Sequence, residues 1–100
     1  MNTLNQQQLD DLRTELDLVD RELVRLLAKR QHLVEELSAL KTSLNLPIEI
    51  IEHWEVSLSK RLEEGKSLQI HPEWVNQLFN TLHKLSIELQ QQLRNEAKPE

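Results

Sequence analysis

From Leu9 to Leu44 one face of the chain is apolar at alternating steps of three and four: Leu9, Leu12, Leu16, Val19, Leu23, Leu26, Leu33, Leu37, Leu40 and Leu44. That rhythm is the seam of one long α-helix packed against other helices. Arg30 holds the seam position that breaks it. A guanidinium stays charged at any working pH and is costly to bury unpaired. An anion is therefore expected to meet Arg30. It is either a protein carboxylate, as when a polar seam residue fixes register, or a group on a ligand.

The remaining composition agrees with an all-helical chain of one domain. Gly occurs once, Pro three times and aromatic residues three times (two Trp, one Phe) in 100 residues, while strong helix formers abound. There is no cysteine, so neither a disulfide framework nor thiolate chemistry is available. The start, MNTLNQQQLDD, lacks the basic and apolar regions of a signal peptide, and no apolar run reaches membrane-spanning length, so a cytoplasmic address is expected. A net charge of -5 argues against nucleic acid as a partner.

Three helices are predicted. The first runs from about Gln6 to Ser43, capped by Thr3 or Asn5, and stops before Asn45-Leu46-Pro47. The second runs from Ile48 or Glu49 to Glu64 with a stripe of Ile51, Trp54, Leu58 and Leu62. Gly65 would be its left-handed cap. The third opens at Pro72 behind His71 and runs to about residue 94, with a seam of Val75, Leu78, Leu82, Leu85 and Leu89 flanked by Phe79 and Leu93. Beyond it, Asn95 to Glu100 reads as a frayed polar tail.

Helix one would be roughly 55–60 Å long, and helices two and three only about 25–35 Å. They could cover its seam only in part. The leftover stripe needs another surface, and a second copy of the chain is the simplest source. The expected architecture is an antiparallel homodimeric helical bundle.

Several polar residues border the apolar faces. Arg30 and Lys41 are eleven residues apart, close to three helical turns, so both leave nearly the same face about 16 Å apart. Arg13 lies about 25 Å from Arg30 on that helix, too far to grip the same small ligand. In an antiparallel dimer, Arg13 of one copy approaches Arg30 and Lys41 of the other. Ser86 and Gln90 lie one turn apart beside the third seam. Two guanidiniums, an ammonium, a hydroxyl and a carboxamide suit a small ligand with more than one carboxylate. Each also has a plainer reading. Lys41 complements a helix dipole, Arg13 covers apolar surface with its stem, and Ser86 and Gln90 are boundary residues. The four histidines show no metal-ligand spacing, and one Gly makes no phosphate loop, so neither metal nor cofactor is expected. Ser86 with His83 is a weak nucleophile–base pairing.

The segment LDDLRTELDLVDRELVRLLAKRQHLVEELSALK resembles the first helix of the all-helical class of chorismate mutases. The family pattern falls on Leu12-Arg13, Val19-Asp20, Leu26-Leu27 with Arg30, and Lys41. The Pro and Gly that follow helices one and two match Pro47 and Gly65. The Phe, Ser and Gln of the last helix match Phe79, Ser86 and Gln90. The likeness spans about residues 9–93 without a gap. It implies a homodimer of three-helix protomers that rearranges chorismate to prephenate. It further implies that Arg30 and the partner's Arg13 bind the substrate carboxylates, with Ser86 helping. Lys41 and Gln90 would bond the ether oxygen. The family's Asp, Arg and Glu in helix two fall on Ile50, His53 and Trp54. His53 is a partial substitute for the Arg, whereas Trp54 removes a carboxylate that bonds the ring hydroxyl, or simply packs. These departures leave two alternatives open: an isochorismate-pyruvate lyase on the same scaffold, or a helical dimer without catalysis that serves binding or regulation.

Overall fold

Among the described residues Asn45 and Gln69 are the two non-glycine residues with positive φ, at 55° and 60°, and each ends a helix. At Asn45, Leu46 N–H reaches back to the Lys41 carbonyl (2.8 Å) and Asn45 N–H to that of Thr42 (3.2 Å). At Gln69, Ile70 N–H bonds the Gly65 carbonyl (2.9 Å) and Gln69 N–H that of Lys66 (3.1 Å). Both are Schellman closures, which satisfy carbonyls that a helix end would otherwise leave open. A computed structural model describes residues 3–97, and among them the helices are α1 (Thr3–Ser43), α2 (Ile51–Ser67) and α3 (Pro72–Ala97), with no strand. None is long and apolar enough to cross a membrane.

The chain divides into two units, Met1–Leu33 and Val34–Glu100. The first is one helical segment, part of α1. Helix α1 begins at Thr3, so neither Thr3 nor Asn5 caps it. Its opening turns are held instead by side-chain bonds one turn apart, Gln6 to Asp10 (3.2 Å) and Gln7 to Asp11 (2.9 Å). Its seam residues stay open to solvent within one chain: Leu12 is 63 % exposed, Leu16 60 % and Leu26 59 %.

In the second unit α2 and α3 form an antiparallel hairpin. Gly65 faces Val75 beside the turn, and Trp54 stacks on His83 further along. Helix α2 starts at Ile51, later than expected, because the preceding residues are engaged elsewhere. The Ile48 carbonyl accepts from Lys41, the Glu49 carboxylate meets His83, and Ile50 is extended. Its end is also later. Gly65 is not the cap but an interior helical residue, and Gln69 takes the left-handed position. The glycine is needed for space. A Cβ at Gly65 would lie 2.7 Å from Val75 Cγ2, inside contact distance. Gly65→Ala gains about 1 kcal/mol of helix propensity but overpacks against a stiff β-branched side chain, at about 1–3 kcal/mol. We expect a net loss of about 1 kcal/mol in urea melts, recovered when Val75→Ala is added.

Helix α3 opens at Pro72 as expected, with the His71 carbonyl accepting Trp74 N–H (3.0 Å) and Val75 N–H (3.3 Å). Asn95 to Ala97 are helical and not frayed, while residues 98–100 lie outside the described residues. Val75 is buried, but Leu78 and Leu85 of the expected seam are exposed, as is Ile51 of α2. Ser38, Ser86 and Gln90 are buried instead. Among the described residues the interior of a single chain is more polar than apolar, the reverse of an ordinary core.

Candidate active site

Buried polar groups carry more information than buried leucines, because each needs a partner. The closing turns of α1 bring Lys41 against α3. Its Nζ donates to the Ile48 carbonyl and to Gln90 Oε1 (3.0 Å). Both acceptors are neutral, so the ammonium keeps its charge, and one of its three donors is left for another acceptor. Burial, and then the nearby Arg94 charge, hold the Lys41 pKa below its ordinary value. The carboxamide of Gln90 is fixed at both ends, since its Nε2 donates to the Ser86 carbonyl (3.2 Å). Ser86 Oγ donates to the Leu82 carbonyl (2.7 Å), one turn back on its own helix.

Arg94 was not among the residues singled out in sequence. It follows Gln90 by four positions and Ser86 by eight, so all three share one face of α3. That spacing was the available signal, hidden because a basic residue near a helix C-terminus has an ordinary explanation. Its Nε donates to Thr42 Oγ1 (3.2 Å), and Thr42 in turn donates to the Ser38 carbonyl (3.0 Å). The Val34–Glu100 unit thus brings together Lys41, Ser86, Gln90 and Arg94.

Trp54 stacks flat on His83, with ring centroids 3.9 Å apart and planes 10° from parallel. Nε2 of that imidazole meets Glu49 Oε2 at 2.7 Å. Trp54 therefore joins α2 to α3 as a packing residue, though with His83 and not through an Ile51–Leu58 stripe. His53 is exposed on the first turn of α2.

Arg13 and Arg30 belong to the Met1–Leu33 unit. Arg13 is exposed, with a long contact to Asp10 of 3.9 Å, an arrangement that holds a side chain weakly. Arg30 is half-buried, and burial lowers its pKa from the usual arginine value.

These features define a class: a helical domain in which an ammonium and a guanidinium are wired to amide, hydroxyl and carbonyl groups and, among the described residues, not to carboxylates. The chain belongs to the chorismate mutase type II family, whose pattern matches residues 12–91. It is 32 % identical over 83 residues to a bifunctional chorismate mutase/prephenate dehydratase of Buchnera aphidicola (subsp. Schizaphis graminum), covering 83 % of this chain and 22 % of that protein. It is 33 % identical over 79 residues to the T-protein of Enterobacter agglomerans, covering 79 % and 21 %. With the T-protein of Haemophilus influenzae the identity is 43 % over 61 residues, covering 59 % and 16 %. The chain spans about a fifth of the length of these curated relatives. No solved structure matches it significantly.

Proposed function

We propose that the chain is a chorismate mutase that works as a homodimer, converting chorismate to prephenate. The carrying observation is the Lys41 ammonium, held by the Ile48 carbonyl and Gln90 with no neutralising carboxylate among the described residues. The rearrangement breaks a carbon–oxygen bond and forms a carbon–carbon bond within one molecule. It needs no nucleophile and no proton shuttle. It needs a flexible dianion held in its reactive shape and a fixed donor where negative charge grows on the ether oxygen. Lys41 is that donor, oriented by Gln90. Arg30, on the same face of α1 by helical spacing, takes one substrate carboxylate, and Ser86 assists. Arg13 of a second copy takes the other, and His53 completes the set from α2.

Support for the dimer comes from the exposed seam. Residues such as Leu12, Leu16 and Leu26 each gain about 1.5–3 kcal/mol when fully buried. An antiparallel second copy offers them an identical stripe. Incubation with chorismate and, separately, isochorismate, with products identified by NMR, tests the reading. Prephenate from chorismate supports it. Pyruvate release from isochorismate alone replaces it with the lyase.

The Lys41 environment sets a pH dependence. The protonated amine is the active form, so kcat/KM should fall as pH rises through the Lys41 pKa. That limb should lie below the ordinary lysine value of 10.5. Folding stability carries the opposite sign. The folded pKa is lowered, so the charged form is the costly one, and its cost disappears as pH rises through the folded pKa. Activity and thermal midpoint should diverge over that window, measured on one set of buffers.

A further inference from the structure

Arg94 has a donor that nothing among the described residues accepts. Its Nη2 is buried and has no hydrogen-bond partner. Its Nε is committed to Thr42 on another helix, and Thr42 is itself oriented by Ser38, which is 2 % exposed. The guanidinium is therefore aimed and not merely tethered. A residue that only complemented the α3 dipole would sit in solvent over its own last turn. Arg94 instead crosses to the end of α1, and its charge adds to burial in lowering the Lys41 pKa. Two cations held near each other, neither facing a carboxylate among the described residues, repel. A buried charged donor left open adds a further penalty. A single carboxylate would relieve both.

We propose that Arg94 is a further cation of the ligand site, with Nη2 donating a hydrogen bond to a ligand carboxylate lying between it and Lys41. The proposal rests on the mutase reading and extends its set of binding groups. The ligand class it specifies is a carboxylate whose acceptor oxygen reaches past the ether-bonding position toward the C-terminal end of α3. Thr42 is the positioning residue that sets the angle of the guanidinium.

The test is steady-state kinetics with chorismate on the full chain. Arg94→Ala should raise KM by about 10–100-fold, the range for a lost charge-assisted bond, with kcat changed less than KM. Added ethylguanidinium should lower that KM again, an effect that a packing role would not show. Arg94→Lys should fall between the two, since one ammonium cannot serve both Thr42 and the ligand. An unchanged KM with a lower thermal midpoint would overturn the proposal and leave Arg94 as a tie between helices. So would a weaker dimer in ultracentrifugation with KM unchanged, because the acceptor would then be a carboxylate of the second copy. If the unsubstituted chain does not turn over chorismate, the mutase reading fails by itself. Arg94 is then judged with malonate, by the ¹⁵N-resolved resonance of its Nε–H. A shift at millimolar malonate that Thr42→Val diminishes supports a carboxylate site, and no shift overturns it.

Discussion

Lys41→Ala should lower kcat by about 10²–10³-fold, the effect of removing one fixed donor from a developing oxyanion. The fold should survive the change. Lys41 donates to the Ile48 carbonyl and to Gln90, so its loss frees two acceptors, and the one on Gln90, which is 4 % exposed, is costly to leave open. Against that, the substitution removes a cation that is partly desolvated and repelled by Arg94. The two effects oppose, and the thermal midpoint should move little. Far-ultraviolet circular dichroism should be unchanged. Lys41→Gln refines the test, because it keeps a donor while losing the charge. It should recover part of the rate if hydrogen bonding matters, and none if the full charge is required. Undiminished kcat in Lys41→Ala would remove the ammonium from the reacting oxygen and with it the central role assigned to it.

The elements were legible in sequence where a single cause acts. The three-four rhythm specified α1, and Pro47 marked its end, though the detailed closure belongs to Asn45. Pro72 marked the start of α3 for the same reason, a fixed φ and no donor. Gly65 was misjudged because glycine answers two demands, positive φ and close approach. The helix end chose Gln69 for the first and Gly65 serves the second. The seam of α3 is only partly covered within one chain, because periodicity finds apolar faces without saying which partner covers them. Within one chain the buried face runs through Val75, Ser86 and Gln90, while Leu78 and Leu85 wait outside. The pairing of Lys41 with Gln90 is a contact between residues 49 positions apart, and spacing along one helix cannot show it. Family resemblance supplied that pair. Arg94 was missed by both routes, since no pattern contains it and its position suggests only a dipole effect. The Trp54–His83–Glu49 contact was missed because each member alone has an ordinary reading.

Mixing two inactive variants should restore activity. If each site takes Arg13 from one copy and Lys41 from the other, Arg13→Ala and Lys41→Ala each disable every site in their own homodimers. Equal mixing with subunit exchange makes half of the dimers mixed. In each mixed dimer one site receives both defects and the other receives none. The recovered kcat should therefore approach about a quarter of the unsubstituted value per chain, a ratio that follows from two-fold symmetry alone. The geometry of α1 makes this the sharpest test of the shared site. Arg13 and Lys41 are 28 residues apart in sequence, which at the rise of an α-helix is about 42 Å, more than a small molecule spans. The exposed Arg13 side chain, with its 3.9 Å contact to Asp10, is able to reorient toward a partner. Arg13→Ala alone should lower kcat and kcat/KM strongly with dimer and helix content unchanged, because the side chain is exposed within its own chain. Recovery on mixing excludes a site built within one protomer. Its absence, with subunit exchange verified by mass-labelled chains, would mean that Arg13 and Lys41 do not act on the same substrate molecule.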